Sequence, residues 1–472
     1  LGSTTSISRI TFGPVSTVGT QLYAIDSATS TSSGPTFWMI ASSASATSIG
    51  SVTAASAGTT PSQNGFFLGN MVVFDNHVFI PIGTDQPSST WATPISFGGS
   101  ALTYVTGISA SDPGYRYAAV YKNRLVLGNS ANNSRRLRFS AAGDGEDFND
   151  TSSWVDTNSD ITGLAALPNA LLVFSADATT RIRGSTPPPG SDMQVDKLSD
   201  FGCIDQRSII TWNGKAVYAD INGVYMTDGI NTTDLTEAGF MQLYYQELLS
   251  AYTSSWELNG GVYRDYYFLS ISSSPGGTFQ DCLVCDLRKR TWFRFQNFNF
   301  RGFVEGKGGG FQDFFAAVGD TNRIAKLAPI FSPSASNKAD ADSDNVLPVV
   351  EYPAVRAYRQ LRRKWVTQQG LTHWKRVYPE YDLRDAASDN PTLTMSYVTS
   401  PAATSYTALA PTLAETTDLK RVGRSFGPSG ARGGKIVPMM VFKIAQTNPS
   451  SDTRIHSLQG EYEAVEESRL PQ

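Results

Sequence analysis

The chain is predicted to be all-β: a six- or seven-bladed β-propeller followed by a small antiparallel β-sandwich. Three observations predict it. A hairpin phrase recurs six times, in which a large hydrophobic residue closes one strand, one variable residue follows, and Asn, Gly or Asp opens the next. The instances are Phe74-Asp75-Asn76, Tyr121-Lys122-Asn123, Leu167-Pro168-Asn169, Trp212-Asn213-Gly214, Tyr263-Arg264-Asp265 and Phe311-Gln312-Asp313, starting 47, 46, 45, 51 and 48 residues apart. That is the period of a blade built from four strands. The composition agrees: 41 Gly, 11% aromatic and only 17% charged residues suit strands and turns better than helices. Finally, the repeats stop near Phe331, and a segment of different charge follows.

Each repeat reads the same way. Before the turn lies an apolar strand, as in Tyr117-Ala118-Ala119-Val120-Tyr121 and Ser208-Ile209-Ile210-Thr211-Trp212. After it comes a more continuous apolar run, such as Leu125-Val126-Leu127, Leu171-Leu172-Val173-Phe174 or Tyr266-Tyr267-Phe268-Leu269, suited to a strand buried on both faces. A third strand alternates polar and apolar residues (Arg136-Leu137-Arg138-Phe139, Thr180-Arg181-Ile182-Arg183), as one wet face requires. Asn, Gly and Asp stand at the turns because two-residue hairpin loops need positive φ.

The propeller is placed at residues 1–331, with 1–50 a degenerate first blade whose hairpin loop is longer and rich in Ser and Thr. Leu235 to Ser250 departs from the strand pattern and approaches helical spacing, as an insertion packed on the rim. Residues 332–346 have no apolar face and read as a linker or exposed loop. Residues 347–464 carry strand-like segments again and form the sandwich-like module; 465–472 are a tail.

Net charge is −4 but unevenly spread: residues 351–472 carry 16 Lys+Arg against 12 Asp+Glu, and residues 1–350 carry 22 against 30. A basic module thus follows an acidic body. No apolar run is long enough for a membrane-spanning helix. The three cysteines are too few for a disulfide scaffold. Cys282 and Cys285 lie three apart on a strand and so point to opposite faces, as small buried thiols.

Catalytic signatures are missing. His77, His373 and His456 are too widely spaced for a zinc cluster to be assembled from the sequence, and no nucleophile elbow or phosphate loop is found. Gly306-Lys307-Gly308-Gly309-Gly310 precedes a repeat turn and reads as a flexible loop rather than a phosphate cradle. Carboxylates could gather at a propeller funnel to cleave glycosides, but the Asp-box repeats of such enzymes are absent. Asp144-Gly145-Glu146-Asp147, Asp156, Asp160 and Asp200 are therefore read as solvated turn residues. No catalytic, metal or cofactor residue is expected, and the chain is read as not an enzyme.

Two basic stretches remain. One holds Arg356, Arg359, Arg362, Arg363, Lys364, Lys375 and Arg376 among Tyr352, Tyr358, Trp365 and Trp374; the other holds Lys420, Arg421, Arg424, Arg432 and Lys435. Basic groups among aromatics can track a nucleic-acid backbone or anchor a protein interface, and the interface is favoured because no base-reading module is evident.

Three runs carry a family likeness. The first is Asn123-Arg124-Leu125-Val126-Leu127-Gly128, then Arg135-Arg136-Leu137-Arg138-Phe139-Ser140 and Asp144-Gly145-Glu146-Asp147-Phe148. The second is Ile161-Thr162-Gly163-Leu164 leading into Leu171-Leu172-Val173-Phe174. The third joins Trp374-Lys375-Arg376-Val377, Lys420-Arg421-Val422-Gly423-Arg424 and Gln459-Gly460-Glu461-Tyr462-Glu463. Over roughly 115–465 the chain resembles the tail nozzle proteins of short-tailed bacteriophages, also called packaged-DNA stabilisation proteins or tail tubular protein B. The resemblance implies a homo-hexamer in the virion tail, extending the head-to-tail connector. It implies contacts with adaptor and with tail fibre or spike proteins. Double-stranded DNA would be retained and then conducted through the lumen without sequence specificity. An acidic body would repel the phosphate backbone and let DNA slide. The alternative is a lectin-like glycan- or receptor-binding tail protein, with a glycoside hydrolase disfavoured by the missing motifs.

Overall fold

A computed structural model describes residues 7–15, 18–26, 35–41, 46–51, 66–84, 94–108, 114–237, 241–251, 257–272, 279–296, 299–307, 313–318 and 324–327, and the strands 356–359, 372–384, 393–398, 407–413, 416–421, 424–425, 435–437, 441–446 and 452–464. Up to residue 327 the chain folds into successive antiparallel sheets arranged as a β-propeller. The first sheet contains Ile7–Val15, Gly19–Asp26, Thr36–Ile40 and Ala46–Ser51. It has four strands, and its first hairpin pairs Val15 with Gly19, a longer loop than the two-residue loops of the later sheets.

The second sheet contains Val72–Phe74, His77–Ile80, Ile95–Phe97 and Leu102–Tyr104. The third contains Tyr117–Tyr121, Arg124–Gly128, Arg136–Phe139 and Trp154–Asp156. The fourth contains Gly163–Ala166, Leu171–Phe174, Thr179–Arg183 and Gln194–Ser199. The fifth contains Ile210–Trp212, Lys215–Ala219, Val224–Thr227 and Thr232–Asp234. The sixth contains Glu257–Tyr263, Tyr266–Ser272, Phe279–Asp286 and Thr291–Gln296. A seventh has three described strands, Phe300–Glu305, Phe314–Val318 and Ile324–Lys326. First strands lie against one another from the first sheet to the fourth and from the fifth to the seventh, and Ile7–Val15 meets Phe300–Glu305, so the ring closes between the last sheet and the first.

The repeated hairpins take the geometry their residues favour. Phe74 pairs with His77, Tyr121 with Arg124, Trp212 with Lys215 and Tyr263 with Tyr266, each across a two-residue loop. Asp75 and Asn76, Lys122 and Asn123, and Asn213 and Gly214 all have positive φ, the type I′ pattern. At Arg264-Asp265 only the first has it. Pro168 cannot adopt positive φ, and there the loop widens: Ala166 pairs with Leu171, and Leu167 N donates to Ala170 O at 2.8 Å. Phe311 and Gln312 lie outside the described residues.

Apolar cores fill the spaces between sheets. Leu137, Phe139, Leu164, Leu171 and Ile182 pack between the third and fourth sheets. Between the fifth and sixth, Val217, Val224, Leu269 and Leu283 pack with the helix α1, Met241–Ala251. Met241, Tyr245, Leu248 and Leu249 are buried at helical spacing, so the helical reading of 235–250 holds from Met241 on, while residues 235–237 are not helical and 238–240 lie outside the described residues. Tyr245 Oη donates to Asp220 O at 2.8 Å and fastens the helix to a turn of the fifth sheet. Cys282 and Cys285 join cores on opposite sides of their strand, as the three-residue spacing predicts.

Beyond the propeller the described strands form two further antiparallel sheets. The larger is built on Thr372–Arg384, which pairs with Thr416–Arg421, Arg424–Ser425, Lys435–Val437 and Asp452–Ala464. The smaller is Thr407–Leu413, Leu393–Val398 and Val441–Gln446. Arg356–Arg359, which the sequence assigns to this module, instead adds a fifth strand to the outer edge of the sixth propeller sheet, with Phe293 opposite Arg359 and Gln296 opposite Arg356. The expected linker at 332–346 and tail at 465–472 lie outside the described residues.

Candidate functional site

The place where a propeller usually receives a ligand is its axis, lined by the first strands. Here those strands bring together Arg9 from the first sheet, Glu257 and Asn259 from the sixth and Arg301 from the seventh. A 3₁₀ turn, Gln206–Ser208, precedes the fifth sheet and adds Arg207, with Asp205 as its N-cap. Asp205 accepts from Arg207 N at 3.0 Å, the bond that caps the turn, and from Leu258 N at 3.2 Å, reaching across to the sixth sheet.

Arg207 ties the cluster. Its Nε donates to both Asp205 oxygens, at 2.8 and 2.9 Å, and its Nη1 lies 2.7 Å from Glu257 Oε1. Glu257 also accepts from Asn259 Nδ2 at 3.2 Å, and Asn259 Oδ1 accepts from Gly302 N at 3.3 Å, so the network runs into the seventh sheet. On the other side Gln206 grips the fourth sheet: Leu164 N donates to Gln206 Oε1 at 2.5 Å, and Gln206 Nε2 donates to Leu164 O at 3.1 Å. A Cβ on Gly163 would come within 2.5 Å of Ile209 Cδ1 and 3.0 Å of Gln206 Oε1, so a larger residue there would require both side chains to shift.

Burial sets the electrostatics. It opposes the charge on Arg207, but Asp205 and Glu257 outweigh it and hold the guanidinium above its ordinary pKa. Arg9 is pushed the other way, to about 10, by burial and then by the like charge of Arg207. Burial, then Asp205, raises the Tyr117 phenol. The Cys203 thiol is pushed up to about 12 by burial and is a protonated hydrophobe rather than a nucleophile. Arg207 pairs with both Asp205 and Glu257, which fastens the turn before the fifth sheet to the sixth, while Arg9 lies in the like-charged field of Arg207 and Arg301. Among the described residues no group of three or more His, Cys, Asp and Glu side chains is placed to hold a metal ion.

The basic candidates fall elsewhere. Arg356 and Arg359 lie on the added strand at the outer edge of the sixth sheet. Lys375 and Arg376 lie on Thr372–Arg384, and the register brings Lys435 opposite Trp374, Arg424 opposite Val377, Arg421 opposite Glu380 and Lys420 opposite Tyr381. One sheet therefore gathers six of the twelve. Arg362, Arg363, Lys364 and Arg432 lie outside the described residues.

The axial residues were not singled out by sequence, because no spacing links Arg9, Asp205, Arg207, Glu257 and Arg301. The available signal was a carboxylate and an amide, Glu257 and Asn259, on an otherwise apolar strand. Glu146, read from sequence as a solvated turn residue, keeps 37% of its side chain exposed and also bonds to the second sheet. Its carboxylate accepts from the buried Ser96 hydroxyl and from Thr103 Oγ1 at 3.2 Å, and lies 3.9 Å from His77 Nε2. Its backbone accepts from Thr106 N at 3.0 Å, and Phe148 N donates to Thr106 O at 3.2 Å. The 144–148 turn of the third sheet is thereby stitched to the second. Asp160 and Asp200 are exposed turn carboxylates as expected, while Asp156 pairs with Arg136.

No family model matches the chain, and no curated protein does. Among solved structures it is similar to the extracellular domain assigned to a hybrid two-component system of B. thetaiotaomicron, at 8% identity and TM-score 0.41, covering 92% of this chain and 56% of that one. It is also similar to a protein assigned as a 6-phosphogluconolactonase from Bacteroides uniformis, at 13% identity and TM-score 0.39, covering 69% and 95%. Puromycin hydrolase is similar at 10% identity and TM-score 0.36, covering 67% and 53%. The chain thus spans about half the length of the first and the last of these.

Proposed function

We propose that the chain is a structural subunit of a short-tailed phage's tail, a ring-forming nozzle or tube component. In this reading it extends the head-to-tail connector, retains packaged DNA and conducts it during ejection. One observation carries the reading: the residues behind the family resemblance fasten the scaffold. Arg124 Nη1 donates to Ser140 O at 2.6 Å, Leu125 N to Ser140 Oγ at 2.9 Å and Gly143 N to Asn123 O at 2.7 Å. Arg138 Nη2 donates to Phe148 O at 2.9 Å. With Arg207 held by Asp205 and Glu257 at the axis, this reading places the work of the molecule on its outer surfaces and on the basic module. Ring assembly by heterologous contacts uses such surfaces.

Electron microscopy of the purified chain, or of its source particle, tests this. Six-fold rings, or density on a tail axis, are expected. A monomer at all concentrations, with no place on a tail, would overturn it.

A further inference from the structure

We propose that the outer edge of the third sheet is a carbohydrate-binding site. Trp154, on the outermost strand, leaves 37% of its surface exposed. The register sets Arg136 opposite Asp156 and Arg138 opposite Trp154, so all four side chains share one face of the sheet. The Arg136 guanidinium lies 4.1 Å from the Trp154 ring and donates to Asp156 through Nε at 2.9 Å and Nη2 at 3.2 Å. Asn133 Nδ2 stands 3.4 Å from both Asp156 oxygens. The buried Arg138 is spent on the carbonyls of Phe148 and Gly107, which fixes the floor.

The fourth sheet shows which part of this the fold needs. There Arg181 faces Asp196 in the same register and pairs with it, but Gln194 stands where the third sheet has Trp154. The cross-strand ion pair is common to both edges and belongs to the sheet. The exposed indole is the addition.

Its surroundings narrow the ligand. Arg136 and Asp156 balance in charge, which does not suit a polyanion. A single ring among polar groups lacks the contiguous apolar area of a protein-docking patch. A pyranose offers what fits: an apolar C–H face for the ring, and adjacent hydroxyls able to bridge the carboxylate, the guanidinium and the Asn133 amide.

The test is saturation-transfer NMR on the full chain with methyl α-glucoside, methyl β-galactoside and N-acetylglucosamine at millimolar concentration. Transfer to at least one sugar is expected, falling at least ~10-fold in Trp154→Ala, as loss of an aromatic anchor does. It should fall similarly in Asp156→Ala, while Trp154→Phe retains part and Asp196→Asn, on the neighbouring sheet, retains all. Thermal melts establish that each variant is folded. Transfer to none of the three sugars, or transfer unchanged in folded Trp154→Ala, would overturn the proposal. Ring assembly is not involved, so the nozzle reading stands or falls separately.

Discussion

Arg207 Nη1 lies 2.7 Å from Glu257 Oε1, joining the turn before the fifth sheet to the first strand of the sixth. Glu257 is 5% exposed and Arg207 18%. Removing the arginine leaves the Asp205 and Glu257 carboxylates facing one another without their shared cation. Arg207→Ala should cost about 3–5 kcal/mol, the usual result of breaking one side of a buried pair. Urea unfolding of the variant against the wild type checks this. Arg207→Met combined with Glu257→Leu should recover part of the loss, because only Asp205, which keeps Leu258 N as a donor, then lacks the cation.

The repeated turn is testable at Asn123, whose φ is 57°. A β-branched residue is poorly suited to that conformation, so Asn123→Val should destabilise by about 1–2 kcal/mol. Asn123→Gly should be close to neutral, since glycine adopts the same φ freely. Equal losses in the two variants would locate the effect in the side chain instead.

Acid stability should depend on Asp196. Its hydrogen bond with Arg181 holds the carboxyl below the ordinary carboxylate range. A carboxylate lowered in the folded state contributes stability above its unfolded pKa and loses it as pH falls through the folded value. The Tm gap between wild type and Asp196→Asn should therefore be largest at neutral pH and shrink as the solution is acidified below about 4. A gap independent of pH would contradict the pairing.

The three cysteines are free and buried. Burial pushes the Cys203 and Cys282 thiols up to about 12, so little thiolate forms at pH 8. A thiol-specific disulfide reagent should label none in the native chain and all 3 once urea unfolds it. Rapid native labelling would mean that the sheets carrying them open locally.

The strand order of the propeller was legible because its signals are local. Asn76, Asn123 and Gly214 declare their turns through their own backbone preferences, and Leu125 to Leu127 or Tyr267 to Leu269 declare buried strands through apolar continuity. Helix α1 was legible for the same reason, through Met241, Leu248 and Leu249, and the structure adds Tyr245 to its buried face. Pro168 was counted with the other turns although its ring forces a wider loop. The first sheet reads as degenerate because its hairpin loop is longer and rich in Ser and Thr, and its first two strands do pair across a longer loop, from Val15 to Gly19.

What sequence alone determined is therefore the repeat: the hairpin period, the antiparallel sheets and the change of charge beyond them. Tertiary structure decided which distant groups meet. Arg9, Asp205, Arg207, Glu257 and Arg301 converge because closing the ring brings first strands together, and their residue types carry no mark of that partnership. Glu146 is a half-exposed turn residue, and the neighbouring sheet adds Ser96 and Thr103 as partners that its sequence does not announce. Arg356–Arg359 looked like part of the basic module until the open edge of the sixth sheet supplied hydrogen-bonding partners. A buried charge such as Glu257 or an unpaired backbone edge such as that of the sixth sheet is costly by itself, and only the folded chain shows what satisfies it.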